Sequence, residues 1–495
     1  MVIPYLNTHF NGVKSLKNLH MKHLIYLLLL SMLFSNIAYA QENNLHHQSS
    51  TYQWPNDPQV KAKLDNWQDQ KFGVLIHWGL YAVPGIIESW QICSEPWIER
   101  DSTMTYDEYK KWYWDFSKVF NPTKFNPEQW AQAAKDAGMR YVVFTTKHHD
   151  GFCMFDTKQT DFKITNGPFA SNPRADVAKY VFQAFRDKGF MIGAYFSKPD
   201  WHSQDFWWSK YATPDRNTNY DIRKYPWKWN RFKQFTYNQI SELMHNYGSI
   251  DILWLDGGWV RPLETVTDEV RGWGAAIPAW NQEVDIPRIA KMSREVQPGL
   301  LVVDRTVAGP YENYQTPEQA IPTQALDHPW ESCITLGNAW GFVPNDQYKS
   351  PTQVIHKLIE IVAKGGSLLL GVGPRPDGTV ELSEVKILKE IGDWMKVNGA
   401  AIYGTRISKV CRDENTFFTQ SKDGKTQYAL VCLPEGKAVS KTVEWKGNLP
   451  KKGAKMKFLA TGATVKWTIT GDKVTVMIPA SFAKKDEYPA LAFSF

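Results

Sequence analysis

Asp256 is the side chain in the sequence best placed for chemistry, because it ends a short apolar run. Along the predicted strand Asp251–Asp256 side chains alternate, so Ile252, Trp254 and Asp256 share one face. Two glycines follow and permit a sharp turn. A carboxylate at that point suits a catalytic role in the mouth of a barrel, whereas the alternative is a carboxylate that caps the next helix or a loop.

The segment Lys147–Phe152 places His148 and His149 next to each other. Adjacent residues on a regular strand point to opposite faces, so both would bind one metal ion only if the strand bends there. No HExxH or similar spacing supports a metal site, and we predict none. Imidazoles that donate hydrogen bonds to substrate hydroxyls are the better interpretation, and histidines satisfied within the core are the alternative.

Glu318 is a second candidate carboxylate. Thr316 as a helix cap and Pro317 at the first helical position would place Glu318 in a first helical turn, and on its own this structural interpretation is favoured. Glu318 gains interest because a retaining glycosidase needs a second carboxylate, which protonates the leaving group and then deprotonates water. Glu312 is the alternative for that role.

The elements that would position these residues alternate between apolar runs and helical patterns from about residue 60 to 400. This alternation is typical of βαβ units and a parallel sheet covered on both faces. A doubly wound sheet, a (β/α)8 barrel and an incomplete barrel all satisfy it. Several runs end in polar residues, as in barrel enzymes, and no GxGxxG or P-loop follows them. We therefore predict a (β/α)8-type, TIM-like α/β barrel over residues 56–404, with strands at Phe72–Trp78, Tyr141–Thr146, Phe190–Ser197, Asp251–Asp256, Leu300–Asp304 and Ser367–Val372 and helices at Ala175–Lys188, Arg231–Tyr247, Thr352–Ala363 and Leu382–Val397.

After about Gly404 the pattern changes to short segments of β-branched and aromatic residues, separated by turns that contain Gly, Lys and Asp. Residues 405–495 are therefore predicted to form a C-terminal all-β sandwich domain. A structural cap is its default role, and carbohydrate binding is the alternative.

Composition indicates a globular protein, with 43% hydrophobic and 22% charged residues among 495. The net charge of +6 comes without a basic cluster, which argues against a nucleic-acid partner. The 22 Trp, 22 Tyr and 25 Phe fit a large core and also a sugar-binding cleft. The five cysteines are far apart and odd in number, so neither a disulfide framework nor a zinc site is predicted.

The N-terminal region has the pattern of a signal peptide. A short basic stretch at Met21 precedes the apolar run Leu24–Phe34, and Ala38–Ala40 supplies the small-x-small cleavage pattern. We expect residues 1–40 to be the signal peptide region, with translation starting at Met21, and residues 41–55 to be a linker. Gln41, where a lipoprotein would have Cys, argues against a lipid anchor. The expected location is the periplasm or the medium, with no membrane span after cleavage.

The motifs resemble those of the α-L-fucosidases of glycoside hydrolase family 29, in the family's order over roughly residues 65–405. The matching segments are Phe72–Gly79, Thr146–Phe152, Gly193–Ser197, Asp200–Trp201, Asp251–Asp256, Val303–Arg305, Thr316–Glu318, Lys364–Leu370 and Val372–Pro374. The C-terminal β module also fits the family's layout. The resemblance implies an exo-acting retaining enzyme that hydrolyses terminal α-L-fucosyl residues of oligosaccharides or glycoconjugates, with no metal or organic cofactor.

The resemblance also implies residue roles. Asp256 falls at the position of the nucleophile and Glu318 at that of the general acid/base, with carboxyl groups about 5–5.5 Å apart in a retaining enzyme. The residues implied to contact the fucose ring are His77, His148, His149, Tyr195, Trp254 and Arg305.

The sequence departs from the family pattern at two places, and the first concerns ring recognition and the choice of aglycone. Family members often read Glu-Trp-Tyr in the first barrel loop, whereas here Pro96 stands in the Glu position, Trp97 matches, and Glu95 is a shifted candidate for binding sugar hydroxyls. Gly371 stands where many members have Asn. The alternatives to a fucosidase are a retaining glycosidase for a related sugar, such as an α-L-galactosidase, and an inactive carbohydrate-binding homologue.

Overall fold

Seven parallel strands form the curled sheet of a TIM-like barrel. The computed structural model describes residues 48–495 except 96–97, 214, 275–276, 484 and 486. The strands are paired in the order β5-β4-β3-β2-β1-β7-β6. Nearly all of their residues are buried, as expected of strands covered on both faces. The strands are β1 (Phe72–Ile76), β2 (Tyr141–Lys147), β3 (Met191–Ser197), β4 (Ile252–Asp256), β5 (Leu301–Asp304), β6 (Glu331–Thr335) and β7 (Ser367–Val372). The predicted fold class is confirmed, and β6 is the strand of this sheet that the sequence pattern does not predict.

Helices cover the outside of the sheet, and several begin at a side-chain cap. Thr105 and Glu108 form a capping box on α2, and Ser350 and Gln353 form one on α8. The helices of the described residues are α1 (Pro58–Gln70), α2 (Tyr106–Asp115), α3 (Pro127–Asp136), α4 (Val177–Asp187), α5 (Pro226–Asn246), α6 (Asp268–Gly272), α7 (Ile286–Val296), α8 (Pro351–Ala363) and α9 (Leu382–Asn398).

An extended segment, residues 312–319, lies between the edge strands β5 and β6, and we call it the bridging segment. The amide of Asn313 donates to the Val302 carbonyl of β5 (3.0 Å). On the other side the amide of Glu331 in β6 donates to the Gln315 carbonyl (2.8 Å), and Glu318 pairs with Cys333 in a parallel bridge. Glu318 therefore does not lie in the first turn of a helix, because the backbone around it bonds to β6.

The N-terminal end of the barrel is closed by α1. Val60, Leu64 and Trp67 recur at helical spacing on α1 and are buried in the barrel interior. The Trp67 ring stacks on Tyr314 with a centroid distance of 3.9 Å and an interplanar angle of 6°. The barrel interior is thus a packed core, and a cavity can form only at the opposite, C-terminal rim.

The C-terminal region consists of two antiparallel sheets that share the core cluster around Trp445 and Phe458. The other face of the larger sheet packs on the barrel helices, where Trp394 of α9 donates through Nε1 to the Ala490 carbonyl (2.9 Å). This all-β arrangement agrees with the predicted sandwich. Five strands form one sheet and three the other, namely β8 (Thr405–Asp413), β9 (Thr416–Ser421), β10 (Gln427–Cys432), β12 (Lys457–Phe458) and β15 (Ala490–Ser494), then β11 (Thr442–Lys446), β13 (Trp467–Thr470) and β14 (Lys473–Met477).

The residues preceding α1 pack against the barrel. Ser49, within the segment expected to be a linker, is 8% exposed.

In the part of the chain described here, no helix has the length and apolar character needed to cross a membrane.

Candidate active site

A cavity lies at the C-terminal rim of the barrel. Most of the side chains selected from the sequence line it. The structure does not bring Glu95 or Glu312 to this cavity, and Trp97 lies outside the described residues. The lining residues are Leu75, His77, Ile87, Glu88, Trp90, His148, His149, Tyr195, Trp254, Asp256, Trp259, Arg305, Glu318 and Trp340.

The Asp256 carboxylate, at the end of β4, accepts three hydrogen bonds. Its Oδ1 accepts from Arg305 Nη1 (2.8 Å) and from the Gly257 amide (2.8 Å), and its Oδ2 accepts from the Tyr195 hydroxyl (2.7 Å). Gly257 has φ of +88°, a conformation that favours glycine. Burial alone would raise the pKa of Asp256, but the charge of Arg305, together with the hydrogen bond from the Tyr195 hydroxyl, holds that pKa well below its usual value. Asp256 is therefore ionised at neutral pH.

Arg305 also holds the second carboxylate. Its Nη2 donates to Glu318 Oε2 (2.7 Å), and its Nε donates to Thr316 Oγ1 (3.1 Å) in the same bridging segment. The other Glu318 oxygen, Oε1, accepts from Trp340 Nε1 (3.2 Å). The guanidinium group lies 4.3 Å from the Trp254 ring centroid, which supports it from below.

Glu312, the alternative second carboxylate, is buried away from the cavity. Its Oε1 accepts from the Thr306 amide (3.1 Å), and burial raises the pKa of Glu312 to about 8. A raised pKa suits a general acid, but an acid must also reach the leaving group. The geometry therefore favours Glu318 over Glu312.

Both histidines of the pair face the cavity, because the chain leaves the strand before them. β2 ends at Lys147 and shifts register between Thr145 and Lys147, and the ring centroids of His148 and His149 lie 4.3 Å apart. The regular alternation that would send them to opposite faces therefore does not apply. Burial lowers the pKa of His148 to about 4, and it lowers the pKa of both His77 and His149 well below the usual value. All three imidazoles are neutral at neutral pH.

The tautomer of neutral His149 follows from its partner, Ser197. The Ser197 hydroxyl donates to the Pro199 carbonyl (2.8 Å), so at its 2.7 Å contact with His149 Nδ1 it accepts. Nδ1 therefore carries the proton, and Nε2, which lies 3.8 Å from Asp256 Oδ2, presents a lone pair. Such a nitrogen accepts a hydrogen bond from a hydroxyl group rather than donating one.

His148, His149 and Asp256 offer ligand atoms that lie within 4.8 Å of one another, a spacing compatible with a metal ion. The surrounding charge does not fit one. Arg305 lies 2.8 Å from Asp256 and would repel a cation, and Tyr195 already donates to the other oxygen. The arrangement is better suited to a ligand rich in hydroxyl groups.

Glu88 is a buried carboxylate of the cavity that sequence reasoning missed. Its Oε1 accepts from the backbone amides of Trp340 (2.7 Å) and Gly341 (3.0 Å), and burial raises the pKa of Glu88 to about 7. Trp90, two residues later, forms part of the cavity wall. The sequence signal for both was Glu88-Ser-Trp90, an acidic residue near a tryptophan in the first barrel loop.

The sequence profile described as "Alpha-L-fucosidase" matches residues 39–400. The chain belongs to the α-L-fucosidase family. It is 31% identical to the solved α-L-fucosidase isoenzyme 1 of Paenibacillus thiaminolyticus, with a TM-score of 0.69, covering 88% of this chain and 99% of that one. It is 28% identical to the plasma α-L-fucosidase of Homo sapiens over 74% of this chain and 76% of the human protein. At 24% identity, an α-L-fucosidase of Bacteroides thetaiotaomicron shares the fold, with a TM-score of 0.68 and coverage of 90% and 97%. The protein is a glycoside hydrolase of the α-L-fucosidase type.

Glu95, the shifted candidate for the Glu that binds sugar hydroxyls in the family, is engaged elsewhere. Both of its oxygens accept from Arg216, at 2.6 Å each. The Arg216 guanidinium lies 4.7 Å from the ring centroid of Trp90 and 5.3 Å from that of Trp259. Glu95 therefore supports two aromatic walls of the cavity from outside.

Gly371, the second departure from the family pattern, makes room for Trp340. A Cβ atom at position 371 would lie 2.7 Å from Cε3 of the Trp340 ring. That ring also stacks near His77, with a centroid distance of 5.2 Å. The glycine thus allows an indole to reach the Glu318 side of the cavity.

Proposed function

We propose that this fucosidase is exo-acting and retaining, and that it removes terminal α-L-fucosyl residues from glycans by double displacement. The observation that carries the proposal is the pair Asp256 and Glu318, two carboxylates that face one cavity and bond to the same guanidinium group. A retaining mechanism needs two such groups on one sugar.

In the first step Asp256 attacks the anomeric carbon while Glu318 protonates the departing glycosidic oxygen. The depressed pKa of Asp256 supports its role as the nucleophile, because the attacking group must be ionised. In the second step Glu318 deprotonates a water molecule, which hydrolyses the fucosyl-enzyme. Arg305 holds the two carboxylates in a fixed relative position during both steps.

The ring hydroxyls of the substrate are recognised by neutral side chains. We assign hydrogen bonds to sugar hydroxyls to His77, His148 and His149, with His149 accepting through Nε2. We also assign to Glu88, rather than Glu95, the role of the family's hydroxyl-binding glutamate, since Glu88 lines the cavity. The apolar walls suit the C5 methyl group of fucose, although such a pocket rejects an added hydroxyl only by about a hundredfold.

Location and domain limits belong to the same proposal. We propose that residues 1–40 direct export to the periplasm or medium, that residues 56–404 form the catalytic barrel and that residues 405–495 form an accessory β domain. The pattern at Ala38–Ala40 supports the cleavage site. Edman sequencing of the secreted chain should give an N-terminus near Gln41.

The test of the nucleophile is Asp256→Gly with added azide. The variant should lose nearly all turnover of an aryl α-L-fucoside, and azide should restore it with formation of β-fucosyl azide, because azide then displaces the leaving group in one inverting step. Wild-type-like activity in the absence of azide would overturn the assignment of Asp256.

The test of the acid/base is Glu318→Ala under the same conditions. Azide should here attack the fucosyl-enzyme and give α-fucosyl azide, the product of two inversions. If azide restores no turnover in this variant while Glu312→Gln lowers turnover strongly, Glu312 is the acid/base.

A nitrophenyl α-L-galactoside measured in parallel tests the sugar preference, and faster turnover of the galactoside would reject fucose as the preferred substrate.

A further inference from the structure

Residues 48–52, which precede α1, lie along the bridging segment, and we call them the N-terminal strap. The Gln48 amide group bonds to Thr316 in both directions, since Oε1 accepts from the Thr316 amide (3.1 Å) and Nε2 donates to its carbonyl (3.4 Å). A side-chain amide that pairs with a backbone in this way replaces part of a neighbouring strand.

Two further bonds join the strap to the same segment. Gln315 Nε2 donates to the Ser49 carbonyl (2.9 Å), and the Tyr52 hydroxyl donates to the Asn313 carbonyl (2.6 Å). The Tyr52 ring stacks on His328 at 4.6 Å, and His328 Nε2 lies 2.8 Å from Gln315 Oε1. The strap therefore contacts the bridging segment at residues 313, 315 and 316.

The strap is itself anchored to the barrel at the start of α6. Ser49 Oγ and the Ser50 amide donate to the two carboxylate oxygens of Glu269, at 2.9 and 2.8 Å. These contacts join the strap to a second part of the barrel, separate in sequence from the bridging segment. A signal-peptidase cut near Gln41 would leave the whole strap in the mature chain.

Thr316 connects the strap to the catalytic groups. Its hydroxyl accepts from Arg305 Nε (3.1 Å), and Glu318 follows two residues later in the chain. On either side of Thr316 the bridging segment bonds to the strands, since the Pro317 carbonyl and the Gln319 amide both bond to Cys333 of β6 (3.3 and 2.9 Å). The amide and carbonyl of Thr316 itself bond to Gln48, so the strap supplies the backbone support at the residue that bonds to Arg305.

We propose that the N-terminal strap is a positioning element for the general acid/base, and that Gln48 and Tyr52 hold the bridging segment so that Glu318 reaches the leaving-group oxygen. This inference rests on the proposed role of Glu318. Small displacements of a catalytic group matter, because a shift of about 1 Å can cost about a hundredfold in rate.

Two substrates that differ in their leaving group can test this proposal. A sugar alkoxide needs protonation as it departs, whereas dinitrophenolate does not, so only the first substrate depends on a well-placed acid. The value of kcat/KM reports the first displacement alone. A displaced Glu318 therefore lowers kcat/KM for a fucosylated disaccharide and spares the dinitrophenyl fucoside.

The experiment compares the mature full-length protein with the variant Gln48→Ala/Tyr52→Phe on both substrates. We expect kcat/KM to fall by about tenfold for the disaccharide and by less than about twofold for the dinitrophenyl fucoside. Thr51→Ala, whose side chain makes no described contact with residues 312–319, is the matched control and should behave as wild type. If the double variant does not fold, Tyr52→Phe alone, which removes a single hydroxyl, gives the same comparison with a smaller loss.

Equal losses on the two substrates, or no loss on either, would overturn the proposal. Glu318→Gln measured in parallel separates this failure from failure of the proposed function. If Glu318→Gln shows the leaving-group dependence and the strap variant does not, the strap has no positioning role. If Glu318→Gln also lacks it, Glu318 is not the acid.

Discussion

The carboxylates of Asp256 and Glu318 accept hydrogen bonds from two nitrogens of a single guanidinium group, that of Arg305, at 2.8 and 2.7 Å. A planar fork fixes the direction of both bonds, so the position of one carboxylate constrains the other. The same group bonds to Thr316, which ties the pair to the bridging segment. Arg305 therefore has both a geometric and an electrostatic role, and the two can be separated.

Removing the charge should move the acid limb of the pH profile. Arg305 is the main influence that lowers the pKa of Asp256 against the effect of burial. In Arg305→Gln that pKa rises, so Asp256 becomes protonated at a higher pH. We expect the acid limb of kcat/KM to shift upward in pH, together with a loss of about 10²–10³-fold at the optimum.

Arg305→Lys is the matched control, since it keeps the charge and loses the fork. Its acid limb should stay close to that of the wild type even though kcat/KM falls. An unmoved acid limb in Arg305→Gln would contradict the electrostatic role, whereas equal shifts in both variants would contradict the separation of charge from geometry.

The assignment of Glu88 and Glu95 can be tested by Michaelis constants. Glu88→Gln keeps an acceptor for the Trp340 and Gly341 amides but loses the ionisable group in the cavity. We expect KM to rise by about tenfold, which corresponds to about 1.4 kcal/mol. The pKa of Glu88 lies at about 7, so the wild-type KM should change across that pH as Glu88 passes from donor to acceptor, and the change should vanish in the variant.

Glu95→Gln is the comparison for that experiment. It breaks one arm of a buried bidentate pair with Arg216, so it should lower the free energy of unfolding by about 3 kcal/mol and change KM by less than about threefold. Urea denaturation and initial rates measure the two effects. A large KM effect in Glu95→Gln with none in Glu88→Gln would reverse the assignment.

The fold was largely predictable because most barrel strands are continuous apolar runs. β6 was not predicted because it is not a continuous apolar run: it begins with Glu331, whose carboxylate lies inside the barrel. That group accepts from the Tyr141 hydroxyl (2.7 Å) and from Trp254 Nε1 (3.1 Å), partners far away in sequence. Helices such as α1 carry a weaker apolar stripe, although the cap at Asp57 marks its start.

The residues that line the cavity were predictable where they lie on a strand near its C-terminal end or directly after it, as at Asp256, Tyr195 and the histidine pair. It was not predictable in the loops, because their course depends on long-range pairing. Glu95 looked suitable by position, yet it bonds to Arg216, 121 residues later. Trp340 reaches the cavity because Glu88, 252 residues earlier, bonds to its amide.

Closure of the barrel by α1 predicts a large stability effect at Trp67. This side chain is fully buried and stacks on Tyr314 of the bridging segment. Trp67→Ala should lower the free energy of unfolding by about 3–5 kcal/mol, because it leaves a cavity at the bottom of the barrel. Trp54→Ala, at a tryptophan that is 53% exposed, should change it by less than about 0.5 kcal/mol. Equal effects in urea denaturation would show that α1 does not close the core.

Gly371 predicts a steric effect on Glu318, the proposed general acid. A methyl group there would meet Cε3 of Trp340 at 2.7 Å and the Thr335 backbone at 3.4 Å, so the indole must move away from Glu318. We expect Gly371→Ala to lower kcat/KM for a fucosylated disaccharide by about tenfold, the scale of one lost hydrogen bond that orients the Glu318 carboxyl group. Gly272→Ala, where a Cβ meets nothing within 4 Å, is the control and should leave the rate unchanged.

A double-mutant cycle decides whether the clash with Trp340 is the cause. If it is, Gly371→Ala should add little to the loss already caused by Trp340→Ala, because the ring that it displaces is absent. Independent, multiplicative losses in the two variants would instead locate the effect in the strand β7 itself. The cycle therefore tests whether glycine, at a position where many family members have asparagine, is required by the tryptophan that bonds to Glu318.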